Sequence, residues 1–307
     1  MLLLFRVDIL FNGVHDPTII RRYKKAIMKN GLYLISTPIG NLGDISFRAI
    51  ETLKNSDSII CENPKHSLKL LSKLDIKKKL ISLHDYNEEV VIDKVKNKLK
   101  TNKFSLISDA GSPLISDPGY KLVRYCIDNN IYLTVVPGPS SVTSALQISS
   151  IPINNYTFYG FLPKTKKSID DFIYLLKKTN TTSVFFVSSH KIFKFLEILQ
   201  NELTDKKIAV CKEITKINEK VFRGFPNEVL EEFKKDSKNS LGEFVVVVEG
   251  ANNLKKSLNE LNPEKIDIIK KLLNKFSLTD TVEIVHKIAD IGKKEIYKKA
   301  LDIQNEK

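Results

Sequence analysis

Residues 104–107 form an apolar run that passes directly into Ser108-Asp109-Ala110-Gly111-Ser112-Pro113-Leu114-Ile115-Ser116-Asp117-Pro118-Gly119, and this junction constrains the chain more than any other stretch. A strand that ends in two Gly/Pro-rich turns carrying two carboxylates presents exposed backbone to a small polar molecule. Two loops of the same kind flank it. Thr37-Pro38-Ile39-Gly40-Asn41-Leu42-Gly43-Asp44 follows the apolar run 32–36, and Pro137-Gly138-Pro139-Ser140-Ser141 follows the run 133–136. Each loop alone is ordinary turn chemistry at a strand-to-helix junction, but three in one half of the chain point to a single shared pocket.

From Gly31 onward, short β-rich runs alternate with longer amphipathic ones. The pattern predicts strands at 32–36, 57–61, 80–83, 104–108 and 132–136, with helices near 45–54, 67–74, 87–100, 119–129 and 140–149. Such alternation specifies a mainly parallel α/β sheet, whose ligands sit beyond the carboxyl ends of the strands. No G-x-G-x-x-G follows the first strand, which argues against a dinucleotide-binding fold. The rhythm breaks at residues 151–155. A second set follows, with strands near 157–162, 183–188, 207–214, 219–224 and 243–249 and helices near 168–178, 190–202 and 227–235. The consecutive strands 207–214 and 219–224 suit a hairpin, so this half should hold a mixed sheet. After Pro263, helical patterns at 264–275, 279–290 and 293–303 outline a helix-turn-helix, with Gly292 at the turn.

At 307 residues with 42% hydrophobic and 28% charged content, the chain can build two domains with real cores and is not a disordered one. Its 49 Lys and Arg against 36 Asp and Glu give a formal charge of +13, which favours a polyanionic partner. Cys61, Cys126 and Cys211 are far apart and form no CxxC pair, so neither a disulfide framework nor a zinc site is supported and a reducing cytoplasm fits. The five histidines show no HxxxH or HxH spacing, leaving metal catalysis without a basis. No run approaches the roughly 18 apolar residues that span a bilayer. Met1-Leu2-Leu3-Leu4-Phe5 is interrupted by Arg6 and Asp8 and lacks a small-residue cleavage site, so it is not read as a secretory signal.

The phrases TPIGNLGDISFRAIETL (37–53), SDAGSPLISDPGYKLVR (108–124) and VVPGPSS (135–141) recur with Gly160-Phe161-Leu162-Pro163, Lys212-Glu213-Ile214-Thr215-Lys216 and Gly242-Glu243-Phe244. In this order and spacing they resemble the ribosomal RNA small subunit methyltransferase I family of the tetrapyrrole methylase superfamily, over residues 31–250 and into the tail. The resemblance implies an α/β, two-domain tetrapyrrole-methylase-like fold. It divides into a mainly parallel domain at 31–150, a mixed-sheet domain at 151–250 and a small helical domain at 263–307. It also implies S-adenosylmethionine as cofactor and 2'-O-methylation of a cytidine in the decoding region of 16S ribosomal RNA. The partner is then that RNA or the small ribosomal subunit, and the assembly a homodimer. Because the family-like sequence starts at Gly31, residues 1–30 are expected to be an extension outside the fold.

By the same resemblance Gly40, Gly111 and Gly138 would let backbone approach the cofactor, and Asp109 and Asp117 would take its ribose or amino group. Pro38, Ala110, Ser112, Ile115, Pro139 and Ser140 would be neighbours in contact. An Asp before Pro-Gly serves equally well as a turn former, so Asp117 carries two readings. The candidate catalytic cluster is Glu62-Asn63-Pro64-Lys65-His66, where the family usually has Glu-Asp-Thr-Arg-His. Glu62 and His66 match, and Lys65 keeps the charge without the fork of arginine. Val187 stands where the family usually has Glu, beside Ser188, Ser189 and His190, of which Ser188 and His190 are expected RNA contacts and Ser189 serves equally as a helix N-cap. In the tail, Ser277, Asp280, Gly292 and Tyr297 match the family's layout while Glu295 replaces a usual lysine, and Lys293, Lys294 and Lys298 are expected to meet phosphates. The departures keep two alternatives open: a ribosome-assembly protein with weakened catalysis, and a superfamily methyltransferase acting on a tetrapyrrole or a protein.

Overall fold

In strand β1 (Gly31–Ile35), alternate side chains enter opposite cores, Leu32 and Leu34 on one face and Tyr33 and Ile35 on the other. Burial on both faces belongs to a parallel sheet covered by helices on each side. The computed structural model, which describes residues 28–250, 263–289 and 291–305, shows that architecture. Strands β2 (Ser58–Cys61), β3 (Lys79–Ser82), β4 (Lys103–Ile107) and β5 (Leu133–Val136) join β1 in the order β3-β2-β4-β1-β5, with every neighbouring pair parallel. Helices α1 (Phe47–Asn55) and α2 (Pro64–Lys73) place Ala49, Leu53 and Leu71 against Tyr33 and Ile35. Helices α3 (Glu88–Val95) and α4 (Tyr120–Asp128) place Val91, Val95, Leu122 and Cys126 against Leu32 and Phe104. β4 therefore sends its outgoing helix to the face opposite those of its neighbours β1 and β2, and the loops leaving these strands diverge at the carboxyl edge of the sheet, where such folds bind ligands.

The chain forms two compact units. The first holds the described residues up to Pro38 together with Leu42–Pro139, and the second holds Ile39–Asn41 and the described residues from Ser140 onward. In the second unit, α5 (Ser141–Ile148) is followed by β6 (Tyr156–Phe161), α6 (Lys166–Lys178), β7 (Thr182–Ser188) and α7 (Ser189–Glu202). Then come β8 (Ile208–Lys212), β9 (Lys220–Gly224), α8 (Pro226–Lys234) and β10 (Glu243–Val248). The sheet runs β6-β7-β10-β8-β9, with β6 and β7 parallel and the other pairs antiparallel. The expected β8–β9 hairpin is present, from Ile208 opposite Gly224 to Lys212 opposite Lys220. Phe185 and Val187 face the helices α6, α7 and α8, while Val184 packs with α5 through Val142, Ala145 and Leu146. Helices α9 (Pro263–Leu273), α10 (Leu278–Ala289) and α11 (Lys293–Asn305) enclose a core of their own that includes Ile269, Val285, Ile296 and Ala300. The fold is that of the expected class. Residues 1–27 of the expected extension lie outside the described residues.

Several helix limits differ from those the pattern predicts. α2 begins at Pro64 rather than 67, because the Asn63 side chain accepts hydrogen bonds from the Lys65 and His66 main-chain N–H groups at 3.1 and 3.4 Å and proline suits the first helical position. α3 stops at Val95 rather than 100. The chain tightens into turns there while Leu99 stays fully buried, so the apolar spacing outlasts the helix. Ser189 is the first residue of α7, and the N-cap position belongs to Ser188.

α4 has no cap of its own, since Gly119, with φ of 125°, offers no side chain. The buried carboxylate of Glu88 replaces it, accepting from the Gly119 N–H at 2.9 Å and the Lys121 N–H at 2.8 Å. Glu88→Ala leaves those donors unpaired and should cost about 2 kcal/mol, or a fall of about 4–8 °C in melting temperature. Glu89→Ala, which removes only an exposed pair with Lys121, should shift it by less than a third as much. Thermal denaturation followed by circular dichroism distinguishes the two.

Candidate active site

Three strand exits of the first unit are laced together. The loop after β1 and the loop after β4 form a two-way bridge, Thr37 N–H donating to the Gly111 carbonyl at 2.8 Å and Gly111 N–H to the Thr37 carbonyl at 3.0 Å. The buried Thr37 hydroxyl adds a 3.3 Å bond to the Ser108 carbonyl. Ser36 and Ser112 share a hydroxyl hydrogen bond of 2.9 Å, and Ser112 reaches the Pro139 carbonyl at 3.5 Å. A Cβ on Gly138 would lie 3.1 Å from Ser36 Cβ, so the loop after β5 closes tightly on β1. Gly111 adopts φ of 78°, a left-handed conformation that glycine takes without strain. Leu114 and Ser116, at 70° and 69°, take it at a cost, which marks the interior of this loop as held by its surroundings.

Against this backbone stand three carboxyl groups from two strand exits, Glu62 after β2 and Asp109 and Asp117 after β4. Glu62 receives a hydrogen bond from the Asp109 main chain, and its own carbonyl accepts from Ser82 Oγ at 3.2 Å. Asp109 Oδ1 is buried without a hydrogen-bond partner. Burial pushes the Asp117 carboxyl up to about 6, against a hydrogen bond from Ser108 and with help from the charges of Glu62 and Asp109. Glu62 is likewise raised, first by burial and then by the negative charges of Asp109 and Asp85. An acidic group that is half desolvated beside others of its own sign is costly to keep ionised, and such groups concentrate where a ligand or a proton is handled.

The expected site residues distribute as follows. Glu62, Asp109, Asp117, Gly111, Ser112, Pro38 and Pro139 belong to the first unit, with Ala110 and Ile115 exposed on the β4 loop. Lys65 and His66 stand exposed in the first turn of α2. Gly40 belongs to the second unit, where a Cβ would fall 2.4 Å from Lys216 Cγ and 2.8 Å from Thr215 Oγ1. Its immediate constraint is thus the β8–β9 connection. Ser140 caps α5 by position only, making no side-chain cap bond. Ser188 shares a 3.2 Å hydrogen bond with His190 Nε2. In the tail, Lys294 and Lys298 are exposed, whereas Lys293 lies 3.3 Å from Glu283 in an ion pair. Sequence reasoning passed over Ser36, Ser108 and Glu88. A glycine directly before α4 was the available signal for Glu88, since that helix start had to be capped from elsewhere.

The chain matches known proteins along most of its length. The family model for Tetrapyrrole (Corrin/Porphyrin) Methylases matches residues 31–230. Ribosomal RNA small subunit methyltransferase I of Buchnera aphidicola subsp. Schizaphis graminum is 38% identical over 280 residues, covering 90% of this chain and 98% of that one. The protein of the same name from Rickettsia prowazekii is 41% identical over 278 residues, covering 88% and 96%. The chain belongs to the ribosomal RNA small subunit methyltransferase I family. A uroporphyrin-III-C-methyltransferase from Thermus thermophilus shares the fold at 16% identity, with a TM-score of 0.51 over 72% of this chain and 94% of that one. Within this methyltransferase family, the departures at Asn63 and Pro64 have a local physical role, since both residues start α2 directly after Glu62.

The raised Asp117 gives a sign-definite test. The folded chain holds the Asp117 proton more tightly than the unfolded one, so this group's contribution to stability is greatest below pH 4 and is lost as pH rises through about 6. Asp117→Asn should therefore raise the melting temperature at pH 7.5 and leave it unchanged at pH 4. With solvent screening at this half-exposed position the gain is about 1 kcal/mol, or about 2–4 °C. Melting curves of both proteins across pH 4–8 measure it.

Proposed function

We propose that this protein transfers a methyl group from S-adenosylmethionine to the 2'-hydroxyl of a cytidine in the decoding region of 16S ribosomal RNA, acting in the cytoplasm as a homodimer. The observation that carries this reading is the buried, unpartnered Oδ1 of Asp109 on laced loops, in a chain 38–41% identical to relatives named for ribosomal RNA methylation. Buried free Cys61, Cys126 and Cys211 suit a reducing compartment. Among the described residues no helix is long and apolar enough to cross a membrane, and no group of His, Cys, Asp or Glu is arranged to hold a metal ion.

The residues fit the cofactor. Asp109 Oδ1 can accept from a ribose hydroxyl or an amino group, which would satisfy an atom that the protein leaves bare. The cofactor supplies a methyl carbon activated by a sulfonium centre. The chain's contribution is alignment, with up to roughly 7–11 kcal/mol available from holding reactants in line. Transfer would form an oxygen–carbon bond as the carbon–sulfur bond breaks to leave a neutral thioether, and Glu62 is the carboxylate we assign to take the hydroxyl proton. Its raised proton affinity makes it a better base than an ordinary glutamate. Lys65 and His66 follow it in the chain and are assigned to the phosphates flanking the target. The alternative of weakened catalysis draws no support from Asn63 and Pro64, because neither change removes Glu62.

Incubating the protein with methyl-labelled S-adenosylmethionine and small subunits lacking the modification should place label on one cytidine ribose, read by primer extension or mass spectrometry. Label on protein, on a tetrapyrrole or nowhere overturns the reading. Glu62→Gln should lower kcat by about 10²- to 10⁴-fold while cofactor affinity, measured by calorimetry, is kept.

The tail is assigned to phosphate contact. Lys294→Ala and Lys298→Ala should each reduce the slope of log affinity for RNA against log salt by about 0.7–0.9. Lys293→Ala should change it less, because Glu283 already neutralises that charge. Titrations at several salt concentrations check this.

A further inference from the structure

Strands β6 and β7 fall out of step near their carboxyl ends. Phe158 lies opposite Val184 while Phe161 lies opposite Phe186, so three steps along β6 match two along β7. The extra residue is absorbed around Gly160, whose φ of 69° is left-handed. In a regular strand Phe161 would point to the face opposite Phe158. The bulge brings it to the same face, and both rings lie 5.1 Å from the ring of Phe186. Phe161 is 64% exposed, a large apolar surface with no evident packing purpose.

This aromatic edge forms one wall of a cavity of about 450 Å³ that lies within the second unit. The size suits a small ligand, which typically takes about 300–1,000 Å³. The other walls are Leu162 and the cationic or hydrogen-bonding side chains of Lys164, Lys191, Ser188 and His190. Ser188 and His190 sit at the N-terminus of α7, a helix of 14 residues whose first N–H groups favour negative charge. Lys191 Nζ donates to the Pro163 carbonyl at 3.1 Å and so fixes the rim beside Lys164. An exposed ring next to fixed positive charge is the combination that stacks a base and holds its phosphate.

We propose that this cavity takes one unstacked nucleobase of the RNA substrate, stacked on Phe161 and Phe186, with the adjoining phosphate held by Lys164 and the start of α7. The inference rests on the RNA reading given above and adds to it a place where a base, and not only the backbone, is gripped. Val187 is buried among the helices on the other face, so the cavity side of β7 at this end is set by Phe186 and Ser188.

The test uses the full chain and a fluorescent single-stranded oligoribonucleotide of about ten nucleotides, within the usual footprint of such sites. A strand of equal length with abasic sugars carries the same phosphates. The wild-type protein should bind the base-bearing strand about 5- to 100-fold more tightly than the abasic one, the range expected for stacking. Phe161→Ala should abolish that preference while leaving abasic affinity, melting temperature and salt slope unchanged, and Phe161→Tyr should restore it. Lys164→Ala should weaken both strands alike and lower the salt slope by about 0.7. Equal wild-type affinity for the two strands, or a preference that survives Phe161→Ala, overturns the proposal, as would a cavity that serves a peptide. Methyl transfer by the same preparations separates the two readings. Transfer without base preference removes the cavity alone, and base preference without transfer removes the methylation reading alone.

Discussion

The pair of hydrogen bonds exchanged by Thr37 and Gly111 sets the position of everything that the first sheet offers at its carboxyl edge. Each main chain satisfies the other's donor and acceptor, so two loops that depart toward opposite faces of the sheet are joined just before they separate. A loop with unsatisfied buried backbone would be expensive to hold, and here the lacing removes that cost while leaving the adjoining side chains free for a ligand. Ser36 and Ser112 extend the lacing to the third exit through Pro139. The result is a rigid backbone frame on which Asp109 is displayed, and orientation is the chief resource of a transfer reaction that needs little covalent help.

That frame carries a liability in its three neighbouring carboxyl groups. Partial burial, with like charges second, favours the protonated forms of Glu62 and Asp117. An apolar cluster in the same place would be more stable. Function is the natural explanation for retaining an arrangement that folding disfavours, and a bound hydrogen-bond donor would recover part of the cost.

The strands were legible because they are short runs rich in β-branched and apolar residues, several of them ended by Gly, Pro or Asp, and the three Gly/Pro loops were legible because their turn residues admit few conformations. Helix starts were less so. The pattern starts a helix only near 67, ahead of which Lys65 and His66 fall, since the capping role of Asn63 depends on a side-chain orientation that composition does not reveal. Nothing along the chain joins Glu62 to Asp117. Their proximity comes from β4 inserting between β2 and β1, a long-range pairing that local pattern cannot report. The turn of Phe161 toward Phe186 was hidden for a similar reason, because a single left-handed Gly160 reverses the face that alternation assigns. The Gly/Pro loops mark the carboxyl edge of the sheet, and the strand order decides which charges meet there.

The loop after β4 is fastened at both ends by parts of the chain remote in sequence, Thr37 at Gly111 and Glu88 at Gly119. Between these two fastenings Ser112 bonds to Ser36 and Leu114 packs against the core beneath α3 and α4, so the stretch is held along its length as well as at its ends. Substitutions here therefore divide into those at Ser112 or Leu114, which loosen the frame, and those at the exposed Ile115, which leave it in place. A scaffold built in this way can vary the exposed positions of one loop over evolutionary time while the sheet beneath keeps its pairing.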